Sequence, residues 1–578
     1  MAFDEKESLS ASVTVPVKPP AASRPWLARY PENINWHATF EARPFQALLD
    51  EAVRHYADRP CIDFLDRQTT YAEVGDLAAK VARGLQDLGV KKGTKVGLFL
   101  PNCPYSIVCF FAILKAGGTV VNYNPLYVTR EIEQQIEDSE TEIMITLDLK
   151  ALLPKLEPLI GKGRLKAIVV ARLADCLPFP KSLLYPWVKR GDIAKVPNEP
   201  AFVPFNQLLD NDGRFEPVPV EPEQDIALIQ YTGGTTGIPK GAVHTHASLV
   251  INADQIVAWT PDVEPGAERI LGVIPLFHVL AISTVLTYGV RTGAMLVLLP
   301  RFDVDQVLQT IQKKRPTFLP GVPTMFNAIS SHPRIDRFDL TSIKFCISGG
   351  APLPIEVKET FESRAGCSLV EGYGLTEAPV THCNPFHGLQ KIGSFGVPMP
   401  GTSIEILSIE DGETPMAQGE RGEVCVSGPQ LMQGYWQRPD ETANAIRNGR
   451  LHTGDVGYLD EDGYGFIVDR LKDLIICSGF NVYPRVVEEA LYEHPDVQEA
   501  AVCGVADDYR GETVKAYVVR KEGADLDETR LLAFLKDKLS PIEMPKIVAF
   551  RDDLPKSAVG KILKKELLRE ERERAVSA

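Results

Sequence analysis

Apolar positions at helical spacing follow Thr70-Tyr-Ala-Glu73, at Val74, Leu77, Ala78, Val81 and Leu85. That period predicts an amphipathic helix, opened by a Thr/Glu capping box and closed at Gly89. VGLFL at 96–100 then reads as a buried strand. A weak echo follows, because ILKAGGTVVNYNP (113–125) and GVRTGAMLVLLP (289–300) both run helix end, Gly, buried strand, Pro. Two such units predict two stacked or fused parallel sheets. From about residue 395 the pattern shortens to GTSIEIL, GEVCVSG and DEDGYGFIV, a small β-rich module. DEDGYG puts Tyr464 where an EF-hand needs its third ligand, so it reads as a hairpin turn. The last hundred residues alternate helix and strand again, and their charged end, KKELLREERERA, reads as a solvated face.

Two apolar stretches raise the question of a membrane. Residues 271–290, LGVIPLFHVLAISTVLTYGV, are uncharged if His278 is neutral and are long enough to span a bilayer. Pro275, His278, Ser283 and two threonines interrupt them, and a strand followed by a buried helix fits better. LPFPKSLLYPWVKRG at 177–191 mixes aromatic, leucine and basic residues, and a solvated loop is favoured over a membrane contact. The N-terminal 1–35 segment is Pro/Ala/Ser-rich, lacks the apolar core of a signal peptide and is expected to be a flexible arm.

The chain has 578 residues, 44% hydrophobic and 24% charged, enough for several domains and a large core. Its net charge of −15 argues against general nucleic-acid binding. Ten scattered cysteines form no CxxC pair, which points to reduced thiols in a cytoplasmic protein.

The candidate chemistry lies in glycine-rich loops. YTGGTTGIPKG (231–241) offers backbone N–H groups, threonine hydroxyls and Lys240, a set suited to a polyphosphate. It is not the NTPase P-loop, because Pro239 precedes the lysine and Gly241 follows it. SGGAPLP (348–354) and EGYGLTE (371–377) each follow a strand, where open α/β sheets place ligands. HTGD (452–455) and DRLKD (469–473) add charges beside the β-rich module, and LPKSAVGK (554–561) delivers Lys561 just before a helix. Taken singly, each has a plain structural reading. Together they supply what ATP requires.

These stretches, with SGFNVYP (478–484), resemble the acyl-adenylate-forming superfamily of acyl-CoA synthetases, adenylation domains and luciferases. Within it the chain is most similar to bacterial long-chain fatty acid–CoA ligases. The resemblance implies an α/β protein with a large N-terminal domain (36–471) of two α/β sheet subdomains plus a small β-barrel-like subdomain. A small mobile α+β C-terminal domain (472–578) completes it. It implies a loop of Thr232, Gly233, Gly234, Thr235, Thr236, Gly237 and Lys240 on the β- and γ-phosphates. Gly350, Ala351 and Pro352 would line the adenine, with Tyr373 stacked on it and Glu371, Gly372 and Gly374 in the same pocket. Thr376 would touch the α-phosphate, and Glu377 with Thr232 would hold Mg²⁺. Asp455 would take both ribose hydroxyls, supported by Arg470. His278 would sit beside the substrate carboxylate, with Val279 at the nucleotide edge. Lys561 would bridge carboxylate and α-phosphate, Lys472 would be the hinge, and Ser478, Gly479 and Phe480 would line the thiol's path.

The implied reaction joins a fatty acid to coenzyme A through an acyl-AMP, with ATP and CoA as co-substrates. A medium-chain or aryl acid remains an alternative. A non-catalytic binder would need a gap in the site, and none is visible. An aminoacyl-tRNA synthetase would need a basic face that this chain lacks. Peripheral contact with the inner face of a membrane and a homodimer both stay open. Arg450, where relatives often carry tryptophan, and Ile476 and Cys477, where some carry polar residues, depart from the pattern.

Overall fold

The computed structural model describes residues 24–577 other than 233–238, 261, 478–479, 508–509 and 558–559. Two large sheets carry the N-terminal part of the chain. In the nine-stranded sheet, Pro60–Phe64, Arg269–Gly272, Met295–Leu298, Phe318–Gly321, Phe345–Ser348 and Ser368–Tyr373 run parallel. In the eight-stranded sheet the parallel set is Lys95–Leu98, Thr119–Asn122, Ile143–Leu147, Ala167–Ala171, Phe202–Pro204 and Ile226–Tyr231. The two echoed units fall one in each sheet. Neither sheet is purely parallel as expected. Short connections force antiparallel pairing, as between Ile226–Tyr231 and Gly241–Thr245 at one edge and between Ser368–Tyr373 and His382–Cys383 at another.

The helix Tyr71–Asp87 has the capping box read from the sequence: Thr70 Oγ accepts from the Glu73 N–H, and the Glu73 carboxylate accepts from the Thr70 N–H. Its inward residues Val74, Ala78, Val81 and Leu85 are fully buried. The apolar run 271–290 is a strand end followed by buried helix, Val279–Ala281, Ile282–Thr287 with π geometry, and Tyr288–Arg291. Its threonine hydroxyls are satisfied internally, Thr284 donating to the Leu280 carbonyl at 2.7 Å and Thr287 to that of Ser283 at 3.0 Å. No helix among the described residues is long and apolar enough to cross a membrane. The 177–191 stretch, expected as a loop, instead contains the helix Lys181–Val188.

Ser403–Leu407, Gly422–Ser427, Ile446–Arg447, Arg450–Leu459 and Gly465–Arg470 form the small antiparallel β-rich subdomain. DEDGYG is its hairpin turn, tied by the Asp460 carboxylate, which accepts from the N–H groups of Asp462 and Tyr464. A single 3₁₀ turn, Leu471–Asp473, leads into the C-terminal sheet, which is built on Val497–Asp507 and Gly511–Arg520. Its core, including Ile475, Val487, Leu491, Val502 and Val518, is separate from the main one. Two expectations need correction. Within the supposed arm, residues 25–29 form a short helix whose Trp26 is only 1% exposed, because its ring packs into the main core beside Trp36. The charged last helix, Lys564–Ser577, is not merely solvated: Leu567 is buried, and Glu570 and Glu571 pair with Arg551 and Lys515.

Candidate active site

The phosphate-type loop joins the antiparallel strands Ile226–Tyr231 and Gly241–Thr245, so it does not itself lead into a helix N-terminus. Its own N–H groups, hydroxyls and lysine are the donors it can offer a phosphate. Gly233, Gly234, Thr235, Thr236 and Gly237 lie outside the described residues. The Thr232 N–H donates to the Lys240 carbonyl at 2.9 Å, closing the loop's base. The Lys240 ammonium lies 3.1 Å from Glu441 and 5.1 Å from the centre of the Tyr435 ring. That is a half-exposed pair, which an incoming anion would have to compete for.

The second group of residues sits at the carboxyl ends of Phe345–Ser348 and Ser368–Tyr373, paired in register Ser348 to Glu371. Gly350, at φ +77°, turns the chain there and leads to Ala351 and Pro352. Gly372 and Gly374 have no room for a side chain: a Cβ would come within 2.7 Å of Ile347 and 2.5 Å of the Val380 nitrogen. Burial lifts Glu371 to about 7, against the opposing charge of Arg485. Tyr373 packs on Phe395, with ring centres 4.8 Å apart, and its hydroxyl donates to Asp455 at 2.7 Å. Asp455 faces Arg470 directly across two strands, and the guanidinium contacts its other oxygen at 3.2 Å. A carboxylate so held keeps lone pairs for further donors.

The C-terminal domain closes this site. The Gly560 carbonyl accepts from Thr324 Oγ of the N-terminal domain at 3.3 Å. Lys561 is then half-buried and within electrostatic reach of His278 and of the Asp455–Arg470 pair. Burial foremost, with Arg470 next, lowers its ammonium to about 8. His278 caps Val279–Ala281, its Nδ1 accepting from the Leu280 N–H at 3.3 Å. That contact leaves the proton on Nε2. Burial, and then Lys561, holds this imidazole neutral with a pKa of about 4. Lys472, in the turn between the domains, is lowered by burial and by Arg470. Ser478 and Gly479 lie outside the described residues, and Phe480 opens the strand Phe480–Val482.

The AMP-binding enzyme family matches residues 49–436, and the AMP-binding enzyme C-terminal domain matches 486–561. The chain belongs to the AMP-binding enzyme family. It is 45% identical to a long-chain-fatty-acid–CoA ligase of Bacillus subtilis, over 96% of this chain and 99% of the relative. It is 37% identical to a feruloyl-CoA synthase of an Amycolatopsis species, over 86% of this chain and 93% of that one. Among solved structures, ATP-bound MatB from Rhodopseudomonas palustris superposes with a TM-score of 0.79 at 29% identity, covering 91% and 99% of the two chains.

Several residues of this AMP-binding enzyme's site were not singled out from the sequence. His244 donates Nε2–H to the Thr376 carbonyl at 2.7 Å, and burial holds it neutral at about 4. The Tyr435 hydroxyl donates to Glu377 at 2.7 Å. Arg485 ties the domains together: its N–H donates to Asp469 and its guanidinium to the Ile467 carbonyl, both at 2.7 Å. None of the three lies in a glycine-rich motif, so no local spacing marks it. Glu423, Cys425 and His452 place potential ligand atoms within 4.8 Å of one another. Arg447 already fills that space, 2.6 Å from His452 and 3.6 Å from Glu423, while Glu423 also accepts from the Gly454 N–H. The trio therefore braces the HTGD turn.

Proposed function

We propose that this protein ligates a fatty acid, long-chain by preference, to coenzyme A in two steps through an acyl-AMP. The observation that carries the reading is the Gly560–Thr324 contact between the domains, which brings Lys561 within electrostatic reach of His278 and the Asp455–Arg470 pair. A carboxylate alone is a poor acyl donor because oxide does not leave. In the first step a carboxylate oxygen attacks the α-phosphorus of ATP and pyrophosphate departs. Lys561 offsets the negative charge shared by carboxylate and α-phosphate, a preorganised electrostatic role. The His278 Nε2–H is a neutral donor for the acyl oxygen. Asp455 takes the ribose hydroxyls, Tyr373 and the Gly350–Pro352 turn flank the base, and Thr376 meets the α-phosphate. Thr232, Lys240 and the loop between them hold the departing pyrophosphate.

In the second step the CoA thiolate attacks the acyl carbon, forming the thioester, and AMP leaves with the electron pair. This requires Lys561 to withdraw by a turn of the C-terminal domain about Lys472, bringing Ser478, Gly479 and Phe480 to the thiol's path. Glu377 and Thr232 offer only oxygen donors, a set that fits Mg²⁺. Bound there with ATP, the ion would screen the phosphate charges. Peripheral contact with a membrane belongs to the same reading, since long-chain acids partition into bilayers.

The test is AMP release dependent on ATP and CoA, across straight-chain acids from acetate to stearate and across cinnamates, with the thioester identified by mass. Long-chain acids are expected to give the highest kcat/KM. A maximum on cinnamates would favour the aryl reading, for which the feruloyl-CoA synthase relative speaks. No AMP release with any acid would reject both.

A further inference from the structure

The helix Lys181–Val188 buries none of its residues. Ser182, Tyr185 and Pro186 form its half-buried inner side, and Tyr185 packs on the main core. Leu183, Leu184, Trp187 and Val188, spaced i, i+1, i+4 and i+5, form a single outer stripe. With Phe179 just ahead of them, they range from 54% exposed at Leu184 to 82% at Trp187. The stripe is held in place at both ends. Arg67 donates to the Asp175 and Leu177 carbonyls before the helix, and after it the Lys150 N–H donates to the Asp192 carbonyl at 2.8 Å. A fixed scaffold therefore presents five large apolar side chains to solvent.

Charge decides what covers them. From Cys176 to Gly191 the chain carries Lys181, Lys189 and Arg190 and no acidic residue. Of the carboxylates around it, Asp66 is paired with Lys181 at 3.4 Å, Asp192 with Lys189 at 3.7 Å and Asp175 with Arg172 at 3.9 Å. Lys313, 63% exposed, also sits on Asp66 and extends the basic rim. Leucine and tryptophan on one face with lysine and arginine at its margin is the pattern of a helix lying in a lipid interface. An eight-residue helix is only about 12 Å long. Its outer face falls well short of the roughly 800 Å² per partner of a stable protein interface. A bilayer takes up each apolar side chain without a matched partner surface, and basic residues at the margin add to the binding.

We propose that the Lys181–Val188 helix, with Phe179, docks this protein peripherally on an anionic lipid surface. The Asp66 contact places the helix beside the turn after Pro60–Phe64, at the carboxyl edge of the same sheet whose other strand ends carry Gly350 and Glu371. The docked face thus lies on the edge of the sheet from which the acid would be taken. This deepens the peripheral-membrane reading above, but its test needs neither ATP nor acid, so its failure leaves the ligase reading intact.

The full-length protein is sedimented with phosphatidylcholine vesicles, with and without phosphatidylglycerol, and its fluorescence is followed with brominated acyl chains present. Binding to the phosphatidylglycerol vesicles is expected, weakened by added salt, with quenching that Trp187→Phe removes while binding persists. Neutralising the rim in Lys181→Gln/Lys189→Gln/Arg190→Gln should weaken binding by about a hundredfold. Leu183→Gln/Leu184→Gln/Trp187→Gln should abolish it, with the thermal melt and turnover of a short soluble acid unchanged. Wild-type protein left in the supernatant with both vesicle types would overturn the proposal. So would a leucine/tryptophan triple variant that binds as well as wild type. A wild-type dimer that this variant converts to monomer, without a change in lipid binding, would assign the face to a second copy instead.

Discussion

The two walls of the candidate site are built differently. The nucleotide shelf is made of strand ends: Asp455 and Arg470 are a cross-strand pair, and Tyr373 lies one residue beyond Gly372 on a strand with partners on both sides. The opposite wall is a loop, and Lys561 reaches the site from a turn that touches the N-terminal domain through Thr324 and Gly560. The shelf's own contacts, Tyr373 to Asp455 and Asp455 to Arg470, are all made within the N-terminal domain. Lys561 owes its surroundings to the contact between the two domains. A wall that can leave suits a group needed in one half-reaction, and a wall that stays suits groups needed in both.

The sharpest way to break this comparison is Lys561→Ala. Formation of acyl-AMP, followed by pyrophosphate release, is expected to fall by about a hundred- to a thousandfold or more, the size of losing a group that stabilises transition-state charge. Thioester formation from supplied acyl-AMP should stay near wild type. Equal loss of both half-reactions would mean that the lysine belongs with the shelf.

Lys472→Pro tests the movement itself. Proline fixes φ near −65° and removes a backbone donor, so a required rotation there is blocked. One half-reaction, CoA transfer above all, should fall by about a hundredfold, as expected when reacting groups are misplaced. Circular dichroism and the melt should be unchanged. Lys472→Ala run beside it separates the side chain from the backbone. If the two variants behave alike in both half-reactions, the turn is not at this residue.

A smaller effect is expected from pH. Burial lowers Lys561 to about 8, so adenylation should decline above pH 8 by about tenfold per unit, as for a reaction needing the protonated form. Thioester formation from acyl-AMP should lack this limb. Stability should move the other way. Between about 8 and the ordinary lysine value of 10.5, the folded lysine has lost a proton that the unfolded chain still holds, so its contribution to stability rises with pH. Lys561→Met should remove both trends, and a limb that persists in that variant belongs to another group.

Much of this was legible in the sequence, for reasons that also mark its limits. The Thr70–Glu73 capping box, the DEDGYG hairpin and the turn at Gly350 are local: a few neighbouring residues determine each of them, and all three appear in the structure. The same locality explains the errors. Nothing in residues 25–35 reveals that Trp26 finds a slot in the core hundreds of residues away. The strands Pro60–Phe64 and Arg67–Thr70 join a sheet otherwise made from residues beyond 268, a pairing that no hydrophobic period encodes. In the last helix, Glu570 and Glu571 read as solvated until Arg551 and Lys515 of neighbouring strands are placed beside them. His244, Tyr435 and Arg485 act on the site through one or two contacts each from other elements, so they carry no motif.

Tyr435 gives the smallest and most specific test of how firmly the shelf is fixed. It lies in the short edge strand Gly434–Tyr435, paired with Ala242 just past the phosphate-type loop, and therefore belongs to the eight-stranded sheet. Its hydroxyl donates to Glu377, which follows the last parallel strand of the nine-stranded sheet. One hydrogen bond thus links the two sheets at the residue proposed to hold Mg²⁺. Burial foremost, and then the Glu377 charge, keeps the phenol protonated, so it remains a donor throughout the working pH range. Tyr435→Phe keeps the ring under Lys240 and removes only that donor. A net loss of about 1 kcal/mol is expected for one such bond, or roughly fivefold in the Mg²⁺ concentration giving half-maximal rate, with kcat at saturating Mg²⁺ little changed. Because adenylation and its pyrophosphate-driven reversal pass through one transition state, the two should shift together. Tyr435→Leu, which also removes the ring beneath Lys240, should raise KM for ATP in addition. If Tyr435→Phe lowers kcat and leaves the Mg²⁺ dependence unmoved, the hydroxyl does not act through Glu377, and the shelf's rigidity has another source.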